Sequence, residues 1–128
     1  MELEGRLAYF AHSKRKYNSK EEFEQLNYLE FVFSGTVICP NNNLGELGSI
    51  QPYLDVVSKM DFLFVAEYHD WIGTGVRLEI KEARKNNIPI YVIRKGKNGF
   101  VLRKLKRVKS RQPLDKVTHF AANLEVYF

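Results

Sequence analysis

The sequence predicts an α/β domain built on an open parallel sheet. Three observations carry that expectation. Short apolar runs alternate with longer segments whose apolar residues recur at helical spacing. The runs are nearly continuous in apolar character, as befits strands buried on both faces, and polar connections follow them. At 128 residues, 45% hydrophobic, the chain has the length and apolar content of one compact domain with one core. A single domain over 1–128 is expected, with its core at about 7–95 and a short basic C-terminal extension from about 96 to 128.

The first run, LAYFAH at 7–12, is short and aromatic-rich and leads into the polar stretch SKRKYN, which predicts a strand and then a loop. Ser19, with Glu22 three residues later, forms a capping-box pattern. It opens SKEEFEQLNYLEFVF, where Phe23, Leu26, Leu29 and Phe33 recur helically. A helix over about 20–33 is expected, with Gly35 ending it. TVICP then reads as a second strand closed by Pro40, before the loop NNNLGELGS. Ile50, Leu54 and Val57 share one side of a short helix that tolerates Pro52 in its first turn. DFLFVAEY is the third strand, HDWIGTG a loop, VRLEIKEARKNN a helix and PIYVIRK the fourth strand. This βαβαβαβ rhythm is that of a Rossmann- or flavodoxin-like domain, whose ligands sit beyond the carboxyl ends of the strands. The three loops after the first three strands should therefore share one crevice. Beyond 96, GFVLRKLKRVKS and KVTHFAANLEVYF read as strands, with an amphipathic helix over 100–108 as the alternative.

Composition narrows the function classes. No stretch approaches the roughly 18 apolar residues of a membrane span, and MELEGRLAYF is not built like a signal peptide. A cytoplasmic protein without a membrane partner is expected. The single cysteine, Cys39, excludes an internal disulfide and reads as a small buried hydrophobe. His12, His69 and His119 have no ligand-like spacing among themselves or with Cys39, so no metal and no cofactor are expected. The net charge of +5 is unevenly placed: residues 1–82 carry 8 Lys/Arg against 13 Asp/Glu, whereas 83–114 carry 11 and none. That block suits either a solvated face or contact with phosphates.

Gly73-Thr74-Gly75-Val76-Arg77-Leu78-Glu79 is a glycine turn feeding a helix with an acid in its first two turns. Such a turn lets a ligand approach the backbone, and the helix dipole favours an ionised Glu79; simple dipole matching accounts for the acid equally well.

Together with Tyr9-Phe10-Ala11-His12-Ser13-Lys14-Arg15 and the acid-led strand DFLFVAE at 61–67, this segment resembles the nucleoside 2-deoxyribosyltransferase family. The likeness is greatest to its deoxynucleoside 5′-monophosphate N-glycosidase branch. The matching features are Tyr-Phe near the start, Ser four and Arg six residues after the Tyr, and Gly-x-x-x-Glu followed by Ala83. The resemblance spans roughly 7–95. It implies that Glu79 is a nucleophile, that Tyr9 hydrogen-bonds it, and that Ser13 and Arg15 hold a 5′-phosphate. His12 either faces the crevice or is a satisfied strand-end histidine. The family's polar residue six positions before the nucleophile is Gly73 here, with Asp70 and Thr74 near enough to substitute, and Gly75 opens the motif. The acid expected on the preceding helix falls at Tyr53, with Asp55 two residues later as the candidate general acid.

The implied enzyme hydrolyses, or transfers at, the N-glycosidic bond of a nucleoside 5′-monophosphate. As in retaining glycosidases, a carboxylate captures the developing oxocarbenium ion. Two alternatives are a nucleotide-binding module without turnover and a nucleic-acid-binding protein using the basic segment. The family's habit of assembling as dimers or larger homo-oligomers gives the apolar tail AANLEVYF a candidate role.

Overall fold

The computed structural model describes residues 3–69 and 72–105. Those residues form an α/β fold around a five-stranded mixed sheet of order β2-β1-β3-β4-β5. The strands are β1 (Leu7–Ala11), β2 (Thr36–Ile38), β3 (Phe62–Ala66), β4 (Ile90–Gly96) and β5 (Gly99–Lys104). The helices are α1 (Lys20–Val32), α2 (Pro40–Asn43), α3 (Gln51–Val57) and α4 (Thr74–Lys85). β1 to β4 pair in parallel, as the apolar runs predict. The fifth strand corrects the expectation of an all-parallel sheet: β5 folds back antiparallel on β4, from Gly96 opposite Gly99 to Tyr91 opposite Lys104. A short turn permits only this reversal, because a parallel return needs a crossover of a dozen residues or more. Residues 100–104 are thus strand, not helix, and the stretch KVTHFAANLEVYF lies outside the described residues.

Alternation along the strands divides the core into two layers. Tyr9, Leu63, Val65 and Val92 face α3 and α4, where Val57, Val76 and Ile80 meet them. Ala8, Phe10, Phe64 and Ile93 face the other way, where Leu29 and Val32 of α1 pack. The chain leaves β1 toward β2 on one side and reaches β3 on the other, so a crevice opens between the carboxyl ends of β1 and β3.

α1 departs from its expected face. Glu22, Gln25, Leu29 and Val32 are buried, whereas Phe23 is 64% exposed and Phe31 84%. The His12 and Asn18 contacts of Glu22 turn the helix so that a polar residue, not Phe23, faces inward. Gly35 also has another reason than the one expected. α1 ends at Val32 with Phe33 already extended, and a Cβ on Gly35 would lie 2.4 Å from the Arg6 carbonyl oxygen. The glycine lets two backbones pass closely. Asp61, before β3, accepts from the Arg6 and Leu7 amides at 2.7 and 3.1 Å, tying the third strand to the first. These bonds hold its carboxyl below the usual range. Among the described residues no helix is long and apolar enough to cross a membrane.

Candidate active site

Tyr9 sits in the middle of β1 with its side chain toward α4, and Glu79 lies in the second turn of α4. The Tyr9 hydroxyl donates to Glu79 Oε2 in a buried side-chain hydrogen bond. Gly75 stands one helical turn before Glu79. Both residues line a narrow cleft of about 30 Å³.

Its walls come from the segments that follow β1, β2 and β3, the third of them the first turn of α4. The first contributes His12, Lys14 and Tyr17; the second contributes Pro40 and Ile50, with Tyr53 from α3 beside them; Gly75 and Val76 close the third side. The Tyr53 hydroxyl also holds the second loop, accepting from the Leu47 amide at 3.1 Å and donating to the Gly45 carbonyl at 2.9 Å.

Burial dominates the electrostatics. It pushes the Glu79 carboxyl up to about 8, against the lowering effect of the Tyr9 hydrogen bond. This corrects the expectation that the helix start keeps Glu79 ionised: a carboxylate taken from water loses more solvation than a dipole one turn away returns. Burial first, and then the neighbouring Glu79 charge, raise the Tyr9 and Tyr17 phenols far above their ordinary range, so both remain donors.

The other expected site residues divide. Ser13 is buried, but its hydroxyl accepts from the Arg15 amide at 3.0 Å and so caps the 3-10 turn Lys14–Lys16. That turn sends Lys14 to the cleft and Arg15 outward, with the guanidinium 5.9 Å from the Tyr68 ring centre. Thr74 is the first residue of α4, and its shielded hydroxyl has no hydrogen-bond partner among the described residues. Asp55 is not brought to the cleft; it is exposed on α3 and accepts from Gln51 at 2.9 Å. Asp70 lies outside the described residues, as does Trp71.

His12 reaches the cleft and is also satisfied. Its Nδ1 lies 2.9 Å from the Phe10 carbonyl and its Nε2 lies 2.5 Å from Glu22 Oε2. Burial opposes ionisation of Glu22, but hydrogen bonds from His12, the Asn18 amide and Asn41 outweigh it and lower its carboxyl overall. Cys39 completes this cluster: its Sγ donates to Asn41 Oδ1 at 3.1 Å, and burial pushes the thiol up to about 12. Ligand atoms of His12, Glu22 and Cys39 all lie within 4.8 Å of one another. The sequence separation of these three residues gave no hint of it. Lys14, Tyr17 and Tyr53 escaped the sequence reading as well; position in the loops that follow the strands was the one signal for Lys14 and Tyr17. No family model matches the chain, and no curated protein matches it.

Proposed function

We propose that this chain cleaves the N-glycosidic bond of a nucleoside 5′-monophosphate, by hydrolysis or by transfer of the sugar to another base, with Glu79 as nucleophile. The observation that carries the reading is the buried Tyr9–Glu79 hydrogen bond at the base of a cleft between the first and third strands. The strand order supports it: β2-β1-β3-β4 follows the order of flavodoxin-like sheets apart from the antiparallel β5, and ligands of such sheets bind at the β1/β3 reversal. The resemblance of YFAHSKR and GVRLE to the nucleoside 2-deoxyribosyltransferase family adds the substrate class.

In this mechanism the Glu79 carboxylate attacks the anomeric carbon as the bond to the base breaks, and the base leaves with the bonding electrons and takes up a proton from solvent. The sugar phosphate is then esterified to Glu79. Water, or the nitrogen of another base, attacks the same carbon, gives up a proton to solvent and returns the carboxylate. Tyr9 orients the carboxyl and stabilises its ionised form. Lys14, on the cleft wall, faces the 5′-phosphate, with Arg15 and Ser13 shaping the same loop. Ligand pockets commonly measure roughly 300–1,000 Å³, so substrate entry requires this cleft to widen.

A nucleotide-binding module without turnover is the second reading, and the outward position of Asp55 favours it, because no other described carboxyl lines the cleft beside Glu79. Incubation with a panel of nucleosides and nucleotides, with chromatography of released base, separates the two. Base release by wild type and none by Glu79→Gln supports the enzyme. Saturable nucleotide binding with no release by wild type supports the module.

A further inference from the structure

We propose that His12, Glu22 and Cys39 form a zinc site, distinct from Glu79 and independent of the glycosidase reading. The three side chains come from different elements: the end of β1, the first turn of α1 and the residue before α2. All are buried, at 4%, 4% and 1% exposure. An imidazole nitrogen, a carboxylate oxygen and a thiolate are the donor set zinc prefers, and three protein ligands leave a fourth position for solvent.

The surroundings orient each ligand as a metal site requires. His12 Nδ1 is engaged by the Phe10 carbonyl, which aims Nε2 at the cluster. Glu22 Oε1 is held by the Asn18 amide at 2.9 Å and by Asn41 Nδ2 at 3.3 Å, leaving Oε2 for the centre. Asn41 Oδ1 accepts from the Cys39 thiol, a bond given up when the thiol loses its proton on metal binding. Around a tetrahedral zinc, donor atoms lie about 3.3–3.6 Å apart. The 2.5 Å contact between His12 and Glu22 must therefore open by about an ångström, and the widest separation, within 4.8 Å, must close by about as much. Side-chain rotation covers such distances. Binding displaces two protons, one from the Cys39 thiol and one from the hydrogen bond between His12 and Glu22, and the ion takes their place. His12 also lines the cleft, which gives the ion a way in.

The test uses the full chain, stripped with a chelator and titrated with zinc by calorimetry and with cobalt(II) by absorbance. One equivalent of cobalt should bind with a thiolate-to-cobalt charge-transfer band and tetrahedral visible bands. Zinc should raise the thermal midpoint where magnesium does not, and should protect the sole cysteine from a thiol reagent. Cys39→Ser should lose the charge-transfer band, and His12→Gln and Glu22→Gln should weaken zinc at least tenfold, while His69→Gln binds as wild type. Should a ligand variant fail to fold, the band and the thiol protection on wild type still decide. Absence of the band, an unprotected thiol at saturating zinc, or undiminished affinity in folded Cys39→Ser overturns the proposal and leaves a buried His12–Glu22 hydrogen bond beside a thiol that binds no metal.

Discussion

Glu79 stores a conflict between solvation and chemistry, and its consequences are measurable as pH effects. The folded chain holds its proton up to about pH 8, against an ordinary value of 4.5. Between those values the folded state binds more protons than the unfolded one, so stability is greatest below the lower value and declines as pH rises toward the upper. Glu79→Gln removes that decline. The variant should match wild type in mild acid and exceed it by roughly 3 kcal/mol at neutral pH, at 1.36 kcal/mol per pKa unit, when both are unfolded in urea. A constant difference across the pH range would show that the carboxyl is not perturbed. On the proposed function the same variant loses base release to background, and wild-type kcat/KM climbs with pH toward an inflection near 8 as the nucleophile ionises. Tyr9→Phe deletes the bond that opposes burial. Turnover should fall by about ten- to a hundredfold, the worth of one hydrogen bond to a charged group, and the inflection should move to higher pH. An unmoved inflection would reduce Tyr9 to a packing residue. Lys14→Gln should weaken use of monophosphates more than Arg15→Ala does, because Lys14 lines the cleft and Arg15 lies beside Tyr68. The reverse order would place the phosphate outside the cleft.

At the scale of elements, the two ends of α1 and the loop before α3 are held by different devices. Ser19 Oγ accepts from the Glu22 amide at 3.0 Å, and Ser19→Ala should cost about 1 kcal/mol in denaturant unfolding. The capping box is only half made, because Glu22 reaches the Asn18 amide and His12 instead of the Ser19 amide. Gly35→Ala should cost more, about 1–3 kcal/mol, since the atoms it would meet are backbone and cannot rotate aside. Equal stability would mean that the strands part there without loss. The loop after α2 depends on the Tyr53 hydroxyl, whose loss in Tyr53→Phe should accelerate amide exchange at Leu47 while α3 stays protected. Unchanged exchange at Leu47 would show that the loop is held by other contacts.

For the molecule as a whole, charge and topology separate two surfaces. Arg94, Lys95, Lys97, Arg103 and Lys104 lie exposed on the β4–β5 hairpin, away from the cleft walls, with Arg94 3.4 Å from Glu67. Replacing Lys95, Lys97, Arg103 and Lys104 with Gln should leave base release almost unchanged, because salt screens exposed charges beyond about 8 Å. Oligonucleotide binding by wild type should be weak, without sequence preference, and lost steeply as salt rises. Tight, selective binding at physiological salt that the four substitutions abolish would favour the nucleic-acid reading over the enzyme.

Local periodicity, the Ser19 cap and the apolar runs are enough to give the α/β class and the approximate position of each of the first four strands and of α1, α3 and α4. The sequence also put Tyr9 and Glu79 forward, through the order of short motifs. The rest depends on contacts between elements. Whether a helix turns Phe23 or Glu22 inward depends on what waits opposite, and here His12 does. Whether Lys14 or Arg15 meets the cleft depends on the single turn that Ser13 caps, and whether Asp55 or Tyr53 does depends on the rotation of α3. The meeting of His12, Glu22 and Cys39 is a product of topology: residues far apart along the chain become neighbours only when β1, α1 and β2 close on one another. The perturbed Glu79 has the same origin, because the water it loses is excluded by elements that the local sequence does not encode.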